Sequence, residues 1–428
     1  MKMDRYSVFL LVLIVAYSIL AFYNLGTVPS DMYFDEIYHA RAGYELLHGL
    51  PLLEDTHPPM GKNFIALSIH FFGMTPFAWR LPGTLAGIMM IPLMFIFGKL
   101  MFNSSRWGLF AAFIFAFDFM PFVQTRIATI DSYVTLFVIA SYLCMYAYVK
   151  NAETASLKKG LLCLLGSGLF IGLAIASKWQ GVYAAMGLPL VFFPAWYGMY
   201  KQRPRAAWIT FACCFAFFIM VPGVVYLLSY IPFVRAMDMG DGFWITFTNN
   251  QHRMFTYHSG LQEGHPFSSR WWEWLLIIRP VFYYSNEVSQ TMRQGISAFG
   301  NPAVWWMGIA ATGTAFVAIV ALWNKKATEY QPEIIFLLIA YAAQFVPWMF
   351  VSRATFIYHY FPSVPFVVLL IVLFFKTHVS TNYPKLTLVY GALVLGLFIL
   401  FFPVLSGMPV SIDFVHTFLR WFPAWVLI

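Results

Sequence analysis

Apolar runs near the roughly twenty residues needed to cross a hydrocarbon core recur along the whole chain. They fall at about 7–23, 82–101, 107–123, 130–149, 160–176, 181–199, 207–231, 303–323, 333–350, 357–376 and 386–402, and predict eleven transmembrane helices. Two further stretches, near 37–48 and 62–72, have helical spacing but too little apolar length to span. They predict helices lying along the membrane interface, with aromatic and aliphatic residues toward lipid. The expected fold class is an all-α polytopic membrane protein, divided into a transmembrane module at 1–231, a loop at 232–302 and a second module at 303–428. No repeat, linker or separate soluble domain interrupts this pattern.

Polar residues between the runs orient the bundle. With the amino terminus in the cytoplasm, the inner segments hold Lys2 and Arg5, Lys99 and Arg106, Lys150 with Lys158 and Lys159, Lys201 with Arg203 and Arg205, Lys325 with Lys326, and Lys376 with Lys385. Every inner segment is then basic, as the positive-inside rule requires. The net charge of +8 therefore reflects topology rather than nucleic-acid binding. Composition agrees: 61% of residues are hydrophobic and 10% charged, against roughly 25% charged in soluble domains. The first run follows Lys2 and Arg5 as in a signal peptide but lacks a small-residue cleavage site, so it reads as an uncleaved signal anchor. Cys144, Cys163, Cys213 and Cys214 all lie in apolar runs and form no disulfide framework.

On the opposite side lie the loops 24–81 and 232–302 and a tail after about 403, where the candidate chemistry gathers. YFDEIYH places Asp35 and Glu36 just beyond the first helix, and EDTHPPMGK brings Glu54, Asp55, His57 and Lys62 around a rigid Pro58–Pro59 pair. Arg126, Lys178 and Arg353 end the third, fifth and ninth helices, so three cations converge on the outer surface, with Arg80 at the outer end of the second helix. Cations at that depth suit a lipid phosphate, and Arg offers it a planar fork; singly, each also fits headgroup snorkelling. Asp118 and Asp131 can pair with a neighbouring Arg, Asp131 by holding a phosphate-binding one. The aromatic stretch from Ser268 to Asn286, with Arg270 and Arg279, fits either an interfacial belt or a sugar and acceptor surface. His359 either donates to phosphate or caps a helix. No metal spacing, P-loop or dinucleotide fingerprint is present.

These motifs together resemble the protein O-mannosyltransferases, membrane enzymes of the GT-C class that use dolichyl- or polyprenyl-phosphate mannose. The resemblance runs through FDEIYH at 34–39, DTHPPMGK at 55–62, WRLPGTLAG at 79–87, TRIATIDS at 125–132, SKWQG at 177–181, RWWEWLLIIRPVFYYSN at 270–286, GNPAVWW at 300–306 and YHYFP at 358–362. It implies a GT-C fold, Asp35 as catalytic base with Glu36 beside it, and Arg126 in the lipid-phosphate site. Lys178, Trp179, Arg353, His359, His57, Lys62, Arg80, Asp131 and Arg279 are the remaining candidates for phosphate or sugar. The interval 232–302 is too short for the β-trefoil of eukaryotic members, so the chain looks like a bacterial form.

The implied reaction is inverting transfer of mannose from a polyprenyl-phosphate carrier to Ser or Thr of an acceptor protein or peptide on the extracytoplasmic side, with the secretion translocon a candidate companion. Neither cofactor nor metal is expected. The competing readings are a GT-C enzyme acting on a lipid or cell-wall glycan, and a lipid or solute transporter, whose ion sites would lie nearer the bilayer midplane.

Overall fold

The computed structural model describes residues 4–260, 264–323, 330–379 and 383–428. The inner-side cations Lys2, Lys325 and Lys326 lie outside the described residues. Helices run in the order α1 Arg5–Phe22, α2 Glu36–His48, α3 Met60–Phe72, α4 Pro76–Phe102, α5 Ser105–Ala116, α6 Phe119–Thr125, α7 Asp131–Asn151, α8 Leu157–Ser177 and α9 Gln180–Gln202. A long span, Pro204–Met237, follows as α10 Pro204–Phe215, a π-helical turn, α11 Val221–Ser229 and α12 Ile231–Met237. The late loop holds α13 Phe243–Gly260, α14 Trp271–Leu275 and strands β1 Val281–Glu287 and β2 Met292–Ala298. The chain closes with α15 Pro302–Trp323, α16 Gln331–Phe345, α17 Val364–Phe374, α18 Pro384–Ser406 and β3 Val410–Ser411.

Among the described residues, ten helices are long and apolar enough to cross a membrane, or eleven when the bent pair α5–α6 counts as one span. The chain is a multi-pass integral membrane protein. The expected third helix is broken at Phe117–Asp118, where α5 and α6 meet at 61°. In lipid, backbone groups freed by such a bend must find protein partners. Asp118 accepts from Met120 N at 2.9 Å, and the Asn301 amide donates to Phe117 O and Val394 O at 3.0 and 2.9 Å. Asp118 is thus occupied by backbone, not by a neighbouring Arg.

Burial sorts the helices. α17 is apolar on every face, and the most apolar stretch of its span Ile357–Val379 is 94% buried and that of α7 83% buried, whereas that of Pro204–Met237 is 6% buried and faces lipid. Close packing replaces the hydrophobic effect between helices in a bilayer. On α8, Gly168 and Gly172 stand four apart, and a Cβ added there would lie 1.9 Å from Phe217 O and 2.7 Å from Pro222 Cα. That face brings α8 directly onto the lipid-facing span.

Outside the bundle, α2 and α3 turn Ile37, Tyr38, Leu67, Phe71 and Phe72 outward while Ala40, Ala42 and Ile65 pack inward, as expected of interfacial helices. The late loop departs from the purely helical expectation: β1 and β2 pair antiparallel, with a bulge between Phe282 and Tyr284, and β2 pairs with β3 from the tail. The tail returns further, burying Trp425 completely and hydrogen-bonding its indole to Ile277 O at 2.8 Å.

Candidate active site

Two adjacent carboxylates open α2 and have opposite surroundings. Glu36 is fully buried: Arg80 grips it with Nε at 2.8 Å and a terminal nitrogen at 2.9 Å, while Trp79 Nε1 and Ala128 N donate to it at 3.1 and 3.0 Å. Arg80 spends its other donors on Leu25 O, Pro29 O and Asp31 O. Both groups are saturated, so neither is free for chemistry or for phosphate. They tie the loop between α1 and α2 to α4 and to the turn after α6.

Asp35, by contrast, makes no side-chain hydrogen bond or ion pair among the described residues. The preceding Phe34 sits at φ +48°, a left-handed conformation that a bulky residue adopts only under constraint. Its ring lies 4.4 Å from that of Tyr283, the bulge residue of β1, which holds the strained turn. The Asp35 side chain is half-buried, with protein packed closely around what remains open. That desolvation, followed by the charge of Asp131, pushes its carboxyl up to about 7, with Lys178 opposing.

Lys178 ends α8 and its ammonium bonds Asp131 Oδ1 at 2.7 Å. Asp131 therefore does hold a cation of the site, but it is Lys178 and not an Arg. Lys178 also faces the Tyr358 ring at 5.8 Å and lines a cavity of about 1040 Å³. His57, Trp179, Tyr226, His258 and Arg353 share that cavity's wall. Trp179 is fixed by donating its indole N–H to Tyr226 OH at 3.0 Å. Arg353 is half-buried and has no hydrogen bond or ion pair among the described residues, leaving its whole fork to the cavity.

The Pro58–Pro59 turn is organised by Glu54. Its carboxylate accepts from Lys62 Nζ at 2.5 Å, His57 Nδ1 at 2.9 Å, Thr56 Oγ1 at 2.6 Å and Thr56 N at 3.0 Å. Burial alone would raise that carboxyl, but Lys62 and His57 outweigh it and hold it well below the usual carboxylate range. Lys62 is fully buried and spends its remaining donors on Glu54 O and His57 O, so it braces the turn and does not reach a ligand.

Three other candidates take structural roles, His359 the one of its two alternatives that caps a helix. Arg126 is buried, with its donors on Ala21 O at 3.0 Å, Leu405 O at 3.3 Å and Tyr23 O, and its plane over Phe122. It ties the C-terminal ends of α1 and α18 to α6, because carbonyls freed at helix ends offered the nearest acceptors; of the candidate cations among the described residues, Lys178 and Arg353 are left for an anion. Arg279 donates to Pro266 O and Ser268 O and secures the late loop. His359 lies buried against Trp348, and its Nδ1 accepts from Phe356 N at 3.0 Å, the helix-cap role. Glu54 and His258 carry more of the site than the sequence indicated; the same loop also holds His252 and His265, and spacing does not single out His258. Among the described residues no group of three or more His, Cys, Asp or Glu side chains is arranged to hold a metal ion.

Two family profiles match consecutive parts of the chain: dolichyl-phosphate-mannose-protein mannosyltransferase over residues 70–235, and the C-terminal four-transmembrane region of protein O-mannosyltransferase over residues 243–425. The chain belongs to the protein O-mannosyltransferase family. A curated relative from Mycolicibacterium smegmatis, polyprenol-phosphate-mannose–protein mannosyltransferase, is 25% identical over 95% of this chain and 90% of its own length. The Saccharomyces cerevisiae Pmt1–Pmt2 complex bound to the sugar donor superposes with a TM-score of 0.89 at 13% identity, over 100% of this chain and 93% of that one. ArnT from Cupriavidus metallidurans bound to undecaprenyl phosphate gives 0.60 at 14% identity, over 92% and 71%. The fold is that of the GT-C enzymes.

Proposed function

We propose that this family member transfers mannose from a polyprenyl-phosphate carrier to Ser or Thr hydroxyls of proteins, with inversion, at the extracytoplasmic face of a bacterial cytoplasmic membrane. The observation that carries the assignment is the unpartnered Asp35 carboxylate within electrostatic reach of Lys178, whose cavity also holds the unpartnered Arg353. Asp35 takes the proton of the acceptor hydroxyl as its oxygen attacks the anomeric carbon. The carrier phosphate leaves on the opposite face of the sugar. Lys178 and Arg353 stabilise the negative charge that grows there, which preorganised cations do without reorganisation. Asp131 keeps Lys178 aimed, and Glu36 with Arg80 fixes the turn that presents Asp35. The basic segments around Lys99, Arg106, Lys150 and Lys158 support a cytoplasmic assignment of the opposite side.

The test is to incubate purified protein with polyprenyl-phosphate mannose and a Ser/Thr-rich peptide and to read the product by mass spectrometry. A peptide gaining one hexose, released by alkaline β-elimination, is expected. Transfer confined to lipid or glycan acceptors would replace the protein-acceptor reading, and carrier movement across proteoliposomes with no new glycosidic bond would replace the enzyme.

A further inference from the structure

Two imidazoles stand side by side on the wall of the charged cavity, with ring centroids 5.0 Å apart, and each has its protonation pattern dictated by its partner. His57 Nδ1 lies 2.9 Å from Glu54 Oε1. That carboxylate is an acceptor already held ionised by Lys62, so His57 must carry its hydrogen on Nδ1. His258 Nε2 lies 2.8 Å from Thr56 O, a backbone acceptor, so His258 must carry its hydrogen on Nε2. Each ring is left with a bare lone pair, on His57 Nε2 and His258 Nδ1. The second of these is a buried atom with no hydrogen-bond partner among the described residues.

A second proton on either ring is opposed by the surroundings. Burial, aided by the charges of His57, Arg353 and Lys178, pulls His258 down to about 4, and burial also lowers His57 despite the pull of Glu54 the other way. The cavity therefore presents two kinds of group: cationic donors on Lys178 and Arg353, and a neutral acceptor on His57, whose side chain keeps 21% exposure, while His258 Nδ1 is closed off behind it. A phosphate oxygen has only lone pairs to offer and finds partners on the first kind alone. An O–H group is what the second kind can bind.

We propose that His57 forms a subsite that accepts a hydrogen bond from a hydroxyl of the donor sugar, with His258 packed beside it, so that it selects the carbohydrate while Lys178 and Arg353 hold the phosphate. Glu54 is the positioning residue that sets the His57 tautomer. The assignment rests on the mannosyl-transfer reading above, and of the two roles its sequence motif left open, phosphate or sugar, it gives His57 the sugar.

The experiment compares binding of two probes, a short polyprenyl phosphate and the same carrier bearing mannose, to the full chain in detergent. His57→Asn keeps a nitrogen donor for Glu54 at the Nδ1 position and deletes the Nε2 acceptor. The expected result is about a tenfold loss of affinity for the mannosyl carrier, the order expected for one buried hydrogen bond, with affinity for the sugar-free phosphate unchanged. Equal losses for both probes would make His57 a phosphate ligand and overturn the subsite. Should the variant fold poorly, the unaltered protein answers with mono-deoxymannosyl carriers: removal of at least one hydroxyl should weaken binding about tenfold, and uniform affinity across all deoxy positions overturns the proposal. Absence of binding of either carrier to the unaltered protein would sink the mannosyl-transfer reading itself, a different failure from the preceding two.

Discussion

Replacing Asp35 with Asn separates catalysis from stability, because the structure predicts opposite signs for the two. The carboxyl is raised from its ordinary 3.8 to about 7 chiefly by burial, next by Asp131, so the folded protein resists ionising it. A carboxyl raised in this way contributes stability below about pH 4 that is lost as pH rises through 7. At 1.36 kcal/mol per pH unit the difference bounds the loss at roughly 4 kcal/mol, and the remaining solvent contact brings a realistic figure nearer 1–2 kcal/mol. Asp35→Asn removes this burden and is isosteric, so the thermal midpoint in detergent at pH 8 should rise by a few degrees. Activity should fall by about 10²–10⁴, the usual worth of a general base. In the unaltered enzyme only the ionised fraction works, so turnover should drop about tenfold per pH unit below 7, a limb the variant lacks. Near-normal transfer by Asp35→Asn would remove Asp35 from the role. Loss of both activity and stability would make it a structural residue and refute the reasoning equally.

Three further outcomes follow from groups around it. Arg353→Gln should weaken donor affinity about 10- to 100-fold, the range of a charge-assisted hydrogen bond, with an unchanged melting temperature because no internal bond is broken; donor titration beside a thermal melt checks both. Glu36→Gln should destabilise the protein by about 3–5 kcal/mol by leaving the buried Arg80 uncompensated, seen as reduced yield and an early thermal transition. Gly168→Val should disrupt packing of α8 on the span Pro204–Met237, since its Cβ would overlap Phe217 O; a wild-type melting temperature would show that the two helices separate at little cost.

The spans were legible because membrane insertion demands a repeated apolar length, and the two interfacial helices because their short amphipathic period differs from it. What the pattern hid was geometry set by backbone needs. The break at Phe117–Asp118 lies inside the apolar run 107–123, where Asp118 is the one charged residue, and Asn301, far along the chain, satisfies the freed carbonyl of Phe117. The β1–β2 hairpin was masked by Tyr283, Tyr284 and the neighbouring tryptophans, whose residue types suit an interfacial belt as well as a strand.

The same logic governs the site. Charge at the outer surface was visible, but a charged side chain at a membrane edge has two outlets, ligand or freed backbone carbonyl, and one-dimensional order does not choose between them. Arg80 and Arg126 end on helix-terminal and loop carbonyls, Lys62 on the Pro-Pro turn, and each is thereby spent on shaping the cavity. Lys178 keeps donors in reserve beyond its bond to Asp131, and Arg353 makes no hydrogen bond or ion pair among the described residues. Of the adjacent acids, Glu36 is consumed by Arg80 while Asp35 is left unpaired by the strained Phe34 turn. Reactivity in this molecule is therefore a matter of which polar groups the fold leaves unsatisfied, and the census of hydrogen bonds identifies them where residue type alone could not.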